Sequence, residues 1–270
     1  MPKRVQSPSS INTFKQCPRK YFYQYIIKYP TKENIHCVRG NIVHEALEKF
    51  FDIDAAKLES ETYKKELSCH LKDHFDSAWK KAASRLQKVG LPDDKISFYY
   101  TESTQMLANW LNQFFTDMEK GVSEGMDITQ AFTKIAPSEI EKQYKDPELM
   151  VRGFIDVVHK DGDTVTLIDY KTSKTDDWKP EYTLQLGIYA VLYEKTHGCY
   201  PQKVGLWLLK HGYKEMGVTP KMVKDALFEI EQIHFATESD TITDYRKKES
   251  GLCKWATGQC DFYDICRRER

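Results

Sequence analysis

No run of apolar residues in this chain is long enough to cross a bilayer. The longest, such as residues 186–193, extend about eight residues, where a helical span needs about twenty. The amino terminus lacks the apolar stretch of a secretory signal, so the expected location is cytoplasmic. Low-complexity tracts are missing too, and 40% hydrophobic against 30% charged residues excludes disorder and collagen-like structure. Net charge is absent: 40 Lys and Arg balance 40 Asp and Glu, which argues at first sight against a nucleic-acid partner. There is no internal repeat and no G-x-x-x-x-G-K-[ST] phosphate loop, and therefore no visible ATP motor. What remains, in 270 residues, suffices for one or two domains with a real core.

Absence also has a local form. Residues 1–32 contain no acidic side chain, while Lys3, Arg4, Lys15, Arg19, Lys20, Lys28 and Lys32 are basic. Residues 246–270 repeat the bias more weakly, with seven basic residues against four acidic ones. The seven cysteines are an odd number in a chain without a signal peptide, which points to a reducing compartment. Cys17 lies near the start in QCPRKYFY, and Cys253, Cys260 and Cys266 fall within the last 18 residues. Cys37, Cys69 and Cys199 have no partners by spacing and are expected as buried apolar residues.

Along the chain, Ser7 can cap a helix with Pro8 at its first position, and Pro18 can start the next. Gly40 precedes a helical pattern that places Val43, Leu47, Phe50 and Phe51 on one apolar face. Mostly helix is predicted from there to about residue 121, including residues 96–120, which bury Met106, Trp110 and Phe114, with a break at residues 91–94. The character then changes. Residues 149–160 and 164–171 read as strands joined by a turn at Asp161 and Gly162. Residues 181–197 read as a helix closed by Gly198, and residues 203–209 as a strand. Thr219 and Pro220 open a last helix with Val223, Leu227, Ile230 and Ile233 inward. Strand, strand, helix, strand, helix describes an α/β core preceded by a helical region.

Chemistry concentrates on this core. Asp156 stands in GFID on the first strand, and Asp169 and Lys171 end the second in IDYK. On neighbouring strands two carboxylates can converge on one hard cation with positions left open for water and phosphate. Lys171 shares a side with Asp169, two residues away, and its ammonium could hold the attacking water or offset phosphate charge. Gln185 and Tyr189, four apart on the following helix, present one polar edge beside the strand ends. His44 in RGNIVHEALE adds an imidazole on an early helix.

Taken in order, His44, GFID, DYK and QLGIY resemble the RecB-type nuclease family within the PD-(D/E)XK superfamily. The resemblance implies a restriction-endonuclease-like core, a mixed sheet flanked by helices, after the N-terminal helical region. It implies that His44, Asp156 and Asp169 bind Mg²⁺ or Mn²⁺ with the Tyr170 carbonyl, that Lys171 is catalytic, and that Gln185 and Tyr189 support the site and DNA. An imidazole among the ligands would suit Mn²⁺ somewhat better. Glu139 or Glu141 could match the acidic residue that the family carries upstream of its first core strand; either also reads as a solvated strand flank. One cysteine before the core and three after it resemble the iron–sulfur-bearing branch, which includes CRISPR-associated adaptation nucleases and helicase-linked nucleases. By that resemblance Cys17, Cys253, Cys260 and Cys266 hold a 4Fe–4S cluster that joins the two chain ends. Cys253 and Cys260 are separated by six residues where that branch commonly has two, and tetrahedral Zn²⁺ is the alternative.

The expected organisation is a basic segment with the first cysteine (1–40), a helical region with His44 (41–134), the nuclease core (135–240) and a cysteine segment (241–270). The expected function is metal-dependent hydrolysis of DNA, as an exonuclease on single-stranded ends in repair, recombination or CRISPR adaptation. A helicase or adaptation protein would be its partner. The alternative is a non-catalytic DNA-binding or scaffolding subunit of a helicase–nuclease complex.

Overall fold

The computed structural model describes residues 4–255 and 258–269; Lys3 and Arg270, two of the basic residues counted above, lie outside them. The chain opens with α1 (Pro8–Gln16), whose capping box pairs Ser7 with Ser10, then α2 (Pro18–Tyr21) and a π-helical turn (Phe22–Ile26). A helical region follows: α3 (Ile35–Phe50), α4 (Tyr63–Lys81), α5 (Ala83–Val89), α6 (Asp93–Ser123) and α7 (Ile128–Ile135). The core continues as β1 (Glu139–Asp146), β2 (Val151–Asp161), β3 (Thr164–Lys171), α8 (Pro180–His197), β4 (Lys203–Leu208), β5 (Gly212–Gly217) and α9 (Pro220–Ala236). Two short strands, β6 (Lys254–Trp255) and β7 (Gly258–Gln259), and α10 (Tyr263–Arg268) end it.

The main sheet has the order β1-β2-β3-β4-β5. Its pairs are antiparallel except β3 with β4, which run parallel and are joined by α8 as a crossover. One face packs against the helical region, where Phe50 is fully buried with its ring 5.0 Å from Trp110 and 5.1 Å from Phe114. Burying one such ring contributes about 2–3 kcal/mol. The other face packs under α8 and α9 with Ile155, Val158, Leu167 and Leu206. The α/β class, the mixed sheet and the preceding helical region are as expected.

Several details differ from the sequence reading. Helix α3 begins at Ile35 rather than after Gly40, because the Asn34 side chain caps it by accepting from the Cys37 amide. Strands β1 and β5 were not anticipated: they are edge strands, short of the hydrophobic alternation that burial on one face would impose. On α9 the fully buried line is Met222, Ala226, Ile230 and Ile233, with Val223 and Leu227 half-buried beside it. Gly187 on α8 explains this, since a Cβ there would meet Ala226 Cβ and Met222 Cγ at 3.2 Å, and the two helices close along that line. Phe51 is half-buried rather than enclosed. Cys37, Cys69 and Cys199 are exposed, not buried. Cys69 lies on the outer side of an amphipathic helix that buries Leu67, Leu71 and Phe75, and Cys199 follows the left-handed Gly198 cap.

The two chain ends meet. Arg19 donates from its backbone to the Arg246 carbonyl (3.2 Å) and from Nε to the Tyr245 carbonyl (2.8 Å), and it pairs with Glu269. Tyr245 is fully buried among Phe14, Tyr21 and Phe22.

Candidate active site

The site forms where β2 and β3 stop pairing. Their ladder ends at Val157↔Ile168, and beyond it the Asp156 carboxylate takes over as backbone partner, accepting from the Tyr170 amide at 2.7 Å. Across the other edge of β2, the ladder with β1 pairs Ile140 with Val157 and Lys142 with Ile155 but skips Glu141 and Asp156 between them. Glu141 has φ 45°, a conformation that non-glycine residues rarely adopt. Both strands change phase here. Ile155 and Val157, two apart, pack on opposite sides of the sheet, as do Ile140 and Tyr144. The irregularity brings two carboxylates to the same point instead of leaving one in each core.

Helix α3 supplies the third group. His44 Nδ1 lies 3.1 Å from Glu141 Oε1 and 3.5 Å from Asp156 Oδ2, and Nε2 lies 3.2 Å from the Tyr170 carbonyl. On the α8 side, Lys171 Nζ stands 2.6 Å from Asp169 Oδ2 and donates to Gln185 Oε1 at 2.9 Å. Gln185 Nε2 in turn donates to Asp169 Oδ1 and meets the Tyr189 hydroxyl, both at 2.7 Å. His44, Asp156, Asp169, Lys171, Gln185 and Tyr189 line one open cleft of about 510 Å³, which also takes in Ser7, Ser9, Arg152 and Phe154, while Glu141 stands behind His44 and Asp156.

Burial and charge act against each other in this cleft. Burial alone would lower the pKa of His44, but Asp156, with Glu141 and Asp169, raises it to about 10. Burial pushes Asp169 up to about 6, opposed by the Lys171 ammonium and reinforced by Asp156. For Lys171 burial works downward and Asp169 outweighs it, so the ammonium is held charged. Tyr189 is raised well above the ordinary tyrosine range by burial and then by Asp169 and Asp156.

The donor set suits a hard divalent cation. Among the described residues, His44, Glu141 and Asp156 form the group of ligand-type side chains whose donor atoms all lie within 4.8 Å of one another. Asp169 Oδ2 is buried and makes no well-directed hydrogen bond, although Lys171 lies against it. Thus of the four ligands expected, His44, Asp156 and the Tyr170 carbonyl come together, Glu141 joins them, and Asp169 stands beside the group in a pair with Lys171. Glu139 is directed elsewhere, to the Tyr144 hydroxyl. Arg152 and Phe154 were not singled out from sequence; their signal is the two-residue repeat that runs through Arg152, Phe154 and Asp156.

At the opposite end of α1 from this cleft, Cys17, Cys253, Cys260 and Cys266 line a cavity of about 210 Å³ between the chain ends. The Cys260 amide donates to the Cys253 carbonyl at 2.9 Å. Burial raises the Cys260 and Cys266 thiols, with nearby lysines working downward and Cys17 upward. Among the described residues no three of these sulfurs fall within 4.8 Å of one another.

The family profile of the PD-(D/E)XK nuclease superfamily matches residues 6–267. A solved structure of a candidate exonuclease from Eubacterium rectale superposes with a TM-score of 0.56 at 11% identity, covering 99% of this chain and 88% of that one. At that identity the likeness concerns the fold. No curated protein matches the chain in sequence. Among the described residues, no helix is long and apolar enough to cross a membrane.

Proposed function

This chain belongs to the PD-(D/E)XK nuclease superfamily, and on that premise we propose that it is a divalent-metal-dependent deoxyribonuclease, an exonuclease acting on single-stranded ends. The observation that carries the reading is the meeting, at one open cleft lined by His44 and Asp156, of the His44–Glu141–Asp156 group with the Asp169–Lys171–Gln185 set. His44, Glu141 and Asp156 would hold Mg²⁺ or Mn²⁺, with Asp169 and the Tyr170 carbonyl beside it. Bound there, the cation would supply Lewis acidity toward a phosphodiester oxygen and a more acidic attacking water. Lys171 keeps its proton and is fixed by Asp169 and Gln185, so its ammonium can orient that water and offset charge on the phosphate. Tyr189 holds Gln185 in turn.

The test is cleavage of end-labelled single- and double-stranded DNA, each end blocked in turn, with and without Mn²⁺. Asp169→Ala and Lys171→Ala proteins are expected to remain folded and lose cleavage by at least about 10²-fold. Wild-type rates in both would overturn the assignment of Asp169 and Lys171, whereas DNA binding by the wild-type protein with no metal-dependent cleavage would make the chain a binding or scaffolding subunit instead.

We further propose that the four-cysteine cavity holds a 4Fe–4S cluster. What supports a thiolate-bound group there is the gathering of all four side chains from both chain ends at one cavity, and tetrahedral zinc is the alternative.

A further inference from the structure

Outward from Asp156, β2 carries Phe154 and then Arg152 on the same side, at the two-residue repeat of an extended strand. All three line the cleft. Packing on the reverse side dictates this placement. Gly153 faces α8, where a Cβ would lie 2.8 Å from Tyr189 Cε1 and 3.4 Å from Leu192 Cδ1. Residues 152 and 154 therefore turn to the open side, and the helical region that covers Val157 and Ile168 stops short of them. Phe154 is left 51% exposed, in a strand whose neighbouring Ile155 is fully buried. Arg152 is exposed, and its guanidinium makes no hydrogen bond or ion pair among the described residues. Its backbone amide, by contrast, is tied to the Gln6 carbonyl at 2.9 Å. An uncovered ring and an unpaired cation thus lead away from Asp156 in steps of about 7 Å, two residues of strand each.

Away from the ends of a duplex both faces of every base are taken by stacking, so a planar ring held in water beside a phosphodiester-cutting site stacks along a strand only where its bases are unpaired and splayed from their neighbours. A guanidinium with no partner of its own is free for a backbone phosphate. We infer that Phe154 stacks on an unpaired base and Arg152 grips a phosphate of the strand being cut, which makes β2 the track that selects single-stranded DNA. The inference rests on the nuclease reading for its substrate but concerns two residues outside the metal group and the Lys171 set.

The test is binding of a single-stranded oligodeoxynucleotide carrying 2-aminopurine near one end, with chelator present to prevent cleavage. Phe154→Ala is expected to weaken binding about 5- to 150-fold, the worth of one base–aromatic stack, and to abolish the 2-aminopurine fluorescence change. Phe154→Trp should restore both. Arg152→Ala should reduce the slope of log affinity against log salt by about 0.7, the loss of one phosphate contact on a single strand, whereas Arg152→Lys should keep it. Binding to a covalently closed circular duplex should change less than about twofold in Phe154→Ala, since it has neither unpaired bases nor an exposed terminal base pair to stack on. If the wild-type protein binds and cuts single strands while Phe154→Ala and Arg152→Ala keep its affinity, fluorescence response and salt slope, the inference falls and the nuclease reading stands. A wild-type protein that neither binds nor cuts single strands removes both.

Discussion

Glu139 and Glu141 stand two positions apart on β1, where a regular strand would point them the same way, yet they meet different partners. Glu141 faces His44, and Glu139 binds the Tyr144 hydroxyl. The left-handed backbone at Glu141 separates their fates. Glu141→Gln should weaken Mn²⁺ binding by more than about tenfold, the scale on which losing a supporting carboxylate loosens a metal site. Glu139→Gln should leave Mn²⁺ affinity unchanged and show its effect in thermal stability. Titration of Mn²⁺ by calorimetry or electron paramagnetic resonance separates the two, and unchanged affinity in Glu141→Gln would mean that the metal lies elsewhere.

At the scale of elements, α3 is fastened to the end of β3 on both sides of Lys171. His44 reaches the Tyr170 carbonyl, and Arg39 Nη2 donates to the Thr172 carbonyl at 2.9 Å. Arg39 is 1% exposed and pairs with Glu102 on α6, which also pairs with Lys210 just past β4. Arg39→Met should therefore cost about 3 kcal/mol in urea unfolding, the lower end for breaking a buried pair, because Lys210 still faces Glu102. The same network sets a pH dependence. Burial raises the Glu102 carboxyl, but Lys210 and Arg39 outweigh it and hold it below its ordinary 4.5. A depressed folded value means the contribution is complete above the unfolded pKa and is lost as pH falls through the folded one. Stability should thus decline on acidification below about 4.5, and Glu102→Gln should flatten that part of the curve. An identical acid limb in the variant would assign the decline to other carboxylates.

For the whole molecule, the neutral charge total hides a spatial arrangement. Arg19 and Lys20 near one end lie with Lys248, Lys254 and Arg267 near the other around the four-cysteine cavity, beside Glu249, so part of the basic excess of the two termini meets there, while Arg4 and Lys15 pair with Asp240 and Glu229. The proposed cluster would join these segments covalently through thiolates. Anaerobically purified protein should show charge-transfer absorbance with iron and sulfide in equal amounts. Cys17→Ser or Cys266→Ser should lose that colour and lower the melting temperature by several degrees, on the order of a few kcal/mol in a chain this size. A colourless, zinc-loaded protein would reassign the cavity to a tetrahedral zinc site.

The sequence by itself determined what depends on local pattern. Ser7 and Pro8 specify the start of α1 and Gly198 the end of α8. Gly162 marks the β2–β3 hairpin, although the turn is Gly162–Asp163, one residue later than the expected Asp161–Gly162, because Asp161 still pairs with Thr164. Asp169 and Lys171 share a side because strand side chains alternate. The choice between Glu139 and Glu141 was not legible. It turns on a break in alternation at Glu141 and Asp156, and a phase change arises only when both strands must pack against two different cores. Cys37, Cys69 and Cys199 carry apolar side chains, but exposure follows the helix face or turn that each occupies, which packing partners decide. Phe154 reads from sequence as one more strand aromatic. Only the closeness of Tyr189 to Gly153, and the limit of the helical cover, leave its ring in water beside the carboxylates. Side-chain type and spacing are local properties, whereas burial and convergence depend on which surfaces the fold brings into contact.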